Sequence, residues 1–256
     1  MLPAPRRLIA SLFALSCTLL LSLPAQAGFK ECPRYFVNGA VPHVPASAPA
    51  RQRELCFDAF AVLYSGQSKT PVYVVERLSK NQLADAAGEV RGNAFYEEAR
   101  LPSAERARLI DFKASGNGEQ RFDRGHMAPA ADMPTPDAMA QSFSLSNMVP
   151  QAPRNNRGPW AKSVENATRK YVQRAAGDVY VFTGPVFDTP LQTLGPNKVW
   201  IPRYLYKLVY DPAANKAWAH WLENTDEARA GRPISYEELV RRTGIEFLPG
   251  IRPQGL

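Results

Sequence analysis

Residues 121–132 read Arg121-Phe-Asp-Arg-Gly-His-Met-Ala-Pro-Ala-Ala-Asp132, and the segment they open closes with Pro150-Gln-Ala-Pro-Arg-Asn-Asn156. The residue types suit work on a phosphodiester, which needs a deprotonated water, stabilised phosphate charge and a neutralised leaving oxygen. His126 can take the proton, since imidazole titrates near neutral pH and accepts when held in one tautomer. Arg124 can fork onto phosphate oxygens. Gly125 lets both neighbours project without a side chain in the way, and Asp123 can orient a water or hold Arg124. Asn156 offers a neutral amide oxygen to a hard cation such as magnesium, which keeps most of its water shell and needs few protein contacts. Taken alone, Asp-Arg-Gly-His is a weak signal, because short charged runs are usually solvated loops.

Working outward, 256 residues allow one large domain or two small ones. Residues 1–27 read as a cleaved signal peptide: Arg6 and Arg7 form a positive start, Leu8 to Leu23 an apolar core, and Ala25-Gln26-Ala27 a small-x-small cleavage site. The expected address is periplasmic or secreted, with no membrane association after cleavage. The mature chain then carries Cys32 and Cys56, an even pair that suggests a disulfide in an exported protein. It would tie a Pro-rich arm, residues 28–54, to the first strand of a domain spanning 55–256. Net charge is +7 and falls to +5 when Arg6 and Arg7 leave with the signal, a balance that favours anionic partners such as nucleic acid. The sequence has no HExxH or CxxC for zinc and no Gly-x-Ser-x-Gly elbow for a serine esterase.

The flanking chain reads as α+β, with a mainly antiparallel sheet. Strands are expected at Leu55–Tyr64 and Pro71–Leu78, joined at Ser65-Gly66. A further strand from Val179 runs into a Gly184-Pro185 turn, and a long one from Val199 to Tyr210 is interrupted by Pro202. Ala217–Leu222 returns antiparallel, with His220 on a strand face; His43 lies exposed in the arm. Helices are expected near Ser79–Leu83, after Ser103, over Asp137–Ser144 and over Ala161–Ala175. The last of these would start at Gly158-Pro159 and bury Val164, Ala167, Tyr171 and Val172. Ser235 and Glu238 have the spacing of a capping box opening a final helix that ends near Gly244.

The longer pattern resembles the DNA/RNA non-specific endonuclease family. Its carriers are Asp123-Arg-Gly-His, Ala128-Pro-Ala-Ala-Asp, Ser144-Leu-Ser-Asn-Met-Val-Pro-Gln-Ala-Pro, Asn156-Arg-Gly-Pro-Trp and Glu165. They are joined by Lys69 to Leu78, Val181 to Phe187, the Ile201 to Tyr210 strand and Thr243-Gly-Ile-Glu-Phe-Leu-Pro, so the likeness spans Cys56 to Pro249. It implies a ββα-metal finger on an antiparallel sheet and magnesium-dependent cleavage of DNA and RNA, with manganese as a substitute ion and a homodimer as an option. It implies a general base at His126, a direct metal ligand at Asn156 (with Asn155 as the alternative), motif roles for Asp123 and Arg124, and a phosphate contact at Arg91. Glu165 resembles a helix glutamate that holds metal-bound water, but it lies nine residues after Asn156 where family members commonly have eight. A non-catalytic nucleic-acid-binding protein on the same scaffold is the competing expectation.

Overall fold

A computed structural model describes residues 28–113 and 122–255; the leader expected at 1–27 lies outside them. The central strands are apolar without alternation, since a sheet covered on both faces buries both sets of side chains. β1 (Gln52–Cys56), β2 (Phe60–Ser65) and β3 (Thr70–Leu78) come first, followed by the separate hairpin of β4 (Asp123–His126) and β5 (Met148–Gln151). Then come β6 (Val179–Val186), the short ribbon of β7 (Thr193–Leu194) and β8 (Val199–Trp200), β9 (Tyr204–Asp211), β10 (Lys216–Glu223) and β11 (Ile234–Ser235). Seven of these form one antiparallel sheet, ordered β1-β2-β3-β6-β9-β10-β11. This is the α+β architecture with a mainly antiparallel core that the sequence suggests.

Along β2 and β3, Ala61, Leu63, Tyr73 and Val75 face one layer, while Phe60, Val62, Tyr64 and Val74 face the other. The first layer is covered by the N-terminal arm, through Phe29, Tyr35, Phe36 and Val37, and by Leu239 of the last helix. The second is covered by Met127, Ala128, Met139, Phe143, Trp160 and Val164, which follow or flank the β4–β5 hairpin. The finger therefore rests on a packed sheet. On the arm side, Cys32 and Cys56 form a disulfide with 6.0 Å between Cα atoms, linking the arm to the end of β1 as expected. His43 is exposed and pairs with Glu246 at 2.8 Å.

Helices α1 (Lys80–Ala86) and α2 (Pro136–Ser142) are capped by Ser79 and Thr135, each accepting an N–H from the residue three positions on. α3 (Pro153–Asn155), a wide-turned segment over Asn156–Glu165 and α4 (Asn166–Val172) form one kinked rod, broken at Gly158, whose backbone angles are not helical. α5 (Tyr236–Thr243) is capped by Ser235 and ends at Gly244, whose φ of +70° is the left-handed stop that glycine adopts freely.

Four expectations need correction. Leu55–Tyr64 is two strands, since the chain reverses through Phe57-Asp58-Ala59, where Phe57 N–H donates to the Phe60 carbonyl at 2.9 Å. Gly184-Pro185 makes no turn: β6 continues through it, and Gly184 is required because a Cβ there would sit 2.7 Å from the Val72 carbonyl. The region after Ser103 holds only single 3-10 turns, Ser103–Glu105 and Leu109–Phe112. A helix does resume after the break at Gly158, as expected, but helical turns already begin at Pro153; of the expected buried face Val164 and Val172 are buried, Tyr171 is half-buried and Ala167 is exposed, while Trp160 and Thr168 are buried as well.

Candidate active site on the β4–β5 finger

Pairing of β4 with β5 sets Asp123 opposite Gln151 and His126 opposite Met148. At Gly125 a Cβ would come within 2.6 Å of the Gln151 Cβ, so the hairpin closes only over glycine. Just past His126, the buried Asn147 amide fastens the turn. Its oxygen accepts from Ala128 N–H at 2.9 Å and its nitrogen donates to the Ala128 and Ser142 carbonyls, both at 2.9 Å.

The imidazole of His126 is 8% exposed and lies between two rings, 5.0 Å from Phe143 edge-on and 5.7 Å from Phe95. Its Nε2 has no hydrogen-bond partner, an unused polar atom in a place where such atoms are normally satisfied. Burial pushes its pKa down to about 3, with the positive charges of Arg91 and Arg124 adding to the effect. The ring is therefore neutral at pH 7. Arg124 stacks 3.9 Å over Phe95, and Arg91 lies 5.5 Å over Phe143.

Asp123 is a junction. Its carboxylate accepts from Arg157 Nε at 2.8 Å and Nη2 at 2.6 Å, and from Asn156 Nδ2 at 3.0 Å. The bond from Nδ2 fixes the Asn156 amide plane, leaving Oδ1 as its acceptor. Asn155 points elsewhere: fully buried, it donates to the Glu223 carbonyl at 2.8 Å. Nine residues along the rod, the Glu165 carboxylate lies 3.8 Å from Arg169. Burial lifts its pKa to about 7, offset in part by the charges of Lys207, Arg169 and Arg91. The field of Arg91 thus reaches both His126 and Glu165, while Asn156 is joined to β4 through Asp123.

Beneath them is a charged layer that sequence reasoning missed. Arg169 Nη1 donates to Asp132 Oδ1 at 3.0 Å, and buried Lys207 donates to Thr183 Oγ1 at 2.7 Å. Buried Glu76 has both carboxylate oxygens unpartnered, and burial pushes its carboxyl and that of Asp132 upward. Arg169 could have been found from its i,i+4 spacing to Glu165. Glu76 and Lys207 sit in apolar strands, where a single charged residue reads as solvent-facing.

As a place for a hard divalent ion the donor set fits. Asn156 supplies an amide oxygen whose plane Asp123 fixes, and Glu165 a carboxylate further along the same rod. Among the described residues no three His, Cys, Asp or Glu side chains form a metal cage.

The fold has a solved counterpart in the structure titled as the EndoG/EndoGI complex. The TM-score is 0.66 at 22% identity, over 80% of this chain and 89% of that one, which places the chain in the ββα-metal nuclease fold. Residues 38–254 match the DNA/RNA non-specific endonuclease family, and the chain belongs to it. It is similar to human mitochondrial endonuclease G, at 30% identity over 81% of this chain and 72% of the relative. It is also similar to nuclease C1 of Cunninghamella echinulata var. echinulata, at 34% identity over 64% of this chain and 67% of the relative.

Proposed function

We propose that this family member is an exported, magnesium-dependent endonuclease that hydrolyses DNA and RNA without regard to the sugar. The observation that carries the reading is His126: a neutral imidazole with an unpartnered Nε2 beside two arginines and an amide pinned by Asp123. In this reading Nε2 accepts a proton from the attacking water, an acceptor's task that a neutral ring performs. Arg91 and Arg124 face the phosphate and stabilise its growing charge. Asn156 Oδ1 would hold the metal, with manganese able to substitute, and Asp123 keeps that oxygen aimed. When bound, the ion supplies positive charge for the phosphate and the leaving oxygen.

Glu165 would hold a water of the ion's shell, and the wide-turned segment supports that role despite its spacing. In an α-helix nine residues rotate a side chain to nearly the opposite face, at about 100° each. Wider i→i+5 turns advance less per residue, and such insertions are frequent at functional sites. The backbone break at Gly158 (φ −108°, ψ −110°) takes up the kink. Export is supported by the leader-like residues 1–27 and by the Cys32–Cys56 disulfide, a bond of oxidising compartments. Among the described residues no helix is long and apolar enough to cross a membrane.

The test is supercoiled plasmid and structured RNA incubated with purified protein and magnesium, with and without EDTA, wild type beside His126→Ala. Cleavage of both substrates, lost in EDTA and in the variant, is the expected result. Binding without cleavage by the wild-type protein would leave the non-catalytic reading in its place.

A further inference from the structure

Two grooves meet at Arg124. One, of about 610 Å³, is bordered by Phe95, Phe112 and Lys113, and the other, of about 440 Å³, by Phe112, Phe122 and Arg157. Both lie within the size range of small-ligand sites, roughly 300–1,000 Å³. Phe112 stands between them and Phe122 walls the far side; each ring is half-buried. Among the described residues neither ring pairs with another aromatic, in contrast to Phe95 and Phe143, which pack edge to face at 4.9 Å. Among the described residues Phe122 belongs to none of the four hydrophobic clusters.

Among the described residues the charge around these rings is one-sided. Arg124, Lys113 and Arg157 border the grooves, and the acid in the wall, Asp123, is already taken up by Arg157 and Asn156. Cationic groups that track a backbone, interleaved with accessible aromatic faces, are how proteins hold single-stranded nucleic acid. A base inside a duplex is stacked on its neighbours and has no face to offer these rings.

We infer that Phe112 and Phe122 form a nucleobase-stacking subsite beside the scissile position, so that the enzyme engages single strands more tightly than duplex. The inference rests on the nuclease reading above and adds to it where the substrate chain goes. A base next to the cleaved phosphate leaves its stack and lies against Phe112 or Phe122, while its own phosphate faces Arg124. The contact is to a π-face, so it selects strandedness and not sequence.

The experiment uses full-length protein with Phe112→Ala, Phe122→Ala and the double variant, with Phe112→Tyr and Phe122→Trp as ring-retaining controls. The probe for binding is a single-stranded DNA oligonucleotide carrying 2-aminopurine, followed by fluorescence in EDTA; supercoiled plasmid nicking in magnesium follows duplex. Loss of a stacked base corresponds to about five- to hundredfold weaker binding. The expected result is that loss on the oligonucleotide, with the 2-aminopurine quench removed, plasmid nicking within about twofold of wild type, and near wild-type binding in the ring-retaining controls. Equal losses on both substrates, or no loss on either, would overturn the subsite. Failure of the nuclease reading would show differently, as wild-type protein that quenches the probe and cuts nothing.

Discussion

Replacing Asp123 by Asn separates the two things its carboxylate does. It accepts from Asn156 Nδ2 at 3.0 Å and twice from Arg157, whose side chain is 73% exposed. The pair with Arg157 is screened by solvent and contributes little. The bond from Asn156 matters more, since it fixes the amide that is to face the metal. In Asp123→Asn one side-chain oxygen becomes an NH2 that confronts a donor and the other loses its charge, so the bond from Asn156 loses its charge-assisted strength and its hold on the amide plane weakens. A hydrogen bond to a charged group is worth about 1.5–3 kcal/mol. If that is the stabilisation lost in the transition state, kcat/KM falls about ten- to hundredfold, at about 1.4 kcal/mol per factor of ten. The assay is the initial rate of plasmid nicking across a magnesium titration, for Asp123→Asn, Arg157→Ala and wild type. Asp123→Asn should need more magnesium and turn over more slowly, while Arg157→Ala, which leaves the Asn156 bond in place, should stay near wild type. If Arg157→Ala lost as much as Asp123→Asn, the carboxylate would be acting through the arginine and this reasoning would fail.

Gly125→Ala should cost about 1–3 kcal/mol by overpacking against Gln151 and cut activity about a hundredfold by displacing His126. Adding Gln151→Ala should recover part of the stability in a urea double-mutant cycle, and strictly additive losses would refute the steric account. The pH dependence of stability in EDTA should contain two opposed contributions. His126 binds its proton near 6.5 when unfolded and near 3 when folded, so its contribution is present above pH 6.5 and is lost as pH falls towards 3. Between pH 6.5 and 5 that amounts to about 2 kcal/mol. Glu165 runs the other way: with its folded pKa raised from 4.5 to about 7, it costs stability as pH rises from 4.5 to 7. His126→Gln should therefore be relatively more stable at pH 5 than at pH 7, and Glu165→Gln should steepen the acid loss; urea midpoints that shift alike in both variants would contradict the assignment.

The parts of the fold that were legible in sequence carry local signals. Ser235 and Glu238 announce a cap, Gly244 a left-handed stop, and Cys32 with Cys56 a bridge. The finger was legible through the run of blocks from Asp123-Arg-Gly-His to Asn156-Arg-Gly-Pro-Trp that resembles the family, since Asp-Arg-Gly-His alone is a weak signal. What stayed hidden depends on long-range packing. In a sheet buried on both faces the period-2 pattern vanishes, so Leu55 to Tyr64 reads as one strand although Phe57 and Phe60 stack at 4.4 Å across a reversal. Gly158-Pro159 marked the break in the rod, but not the turns that precede it from Pro153, and Ala167 was taken for a buried position that Thr168 fills. Glu76 and Lys207 were invisible because only the assembled sheet brings their charges beneath the site.

In the proposed reaction the work divides between a base, His126, and a metal-holding amide, Asn156, and the leaving group tells the two apart. Single-turnover rates should be measured on a DNA phosphodiester and on a p-nitrophenyl phosphodiester of thymidine, whose leaving group departs without stabilisation. His126→Ala should lose the same factor on both, since the water must be activated in either case. Asn156→Ala should lose markedly less on the p-nitrophenyl ester than on DNA. If His126→Ala kept its rate on the activated ester while Asn156→Ala lost equally on both, the two roles would have been assigned the wrong way round.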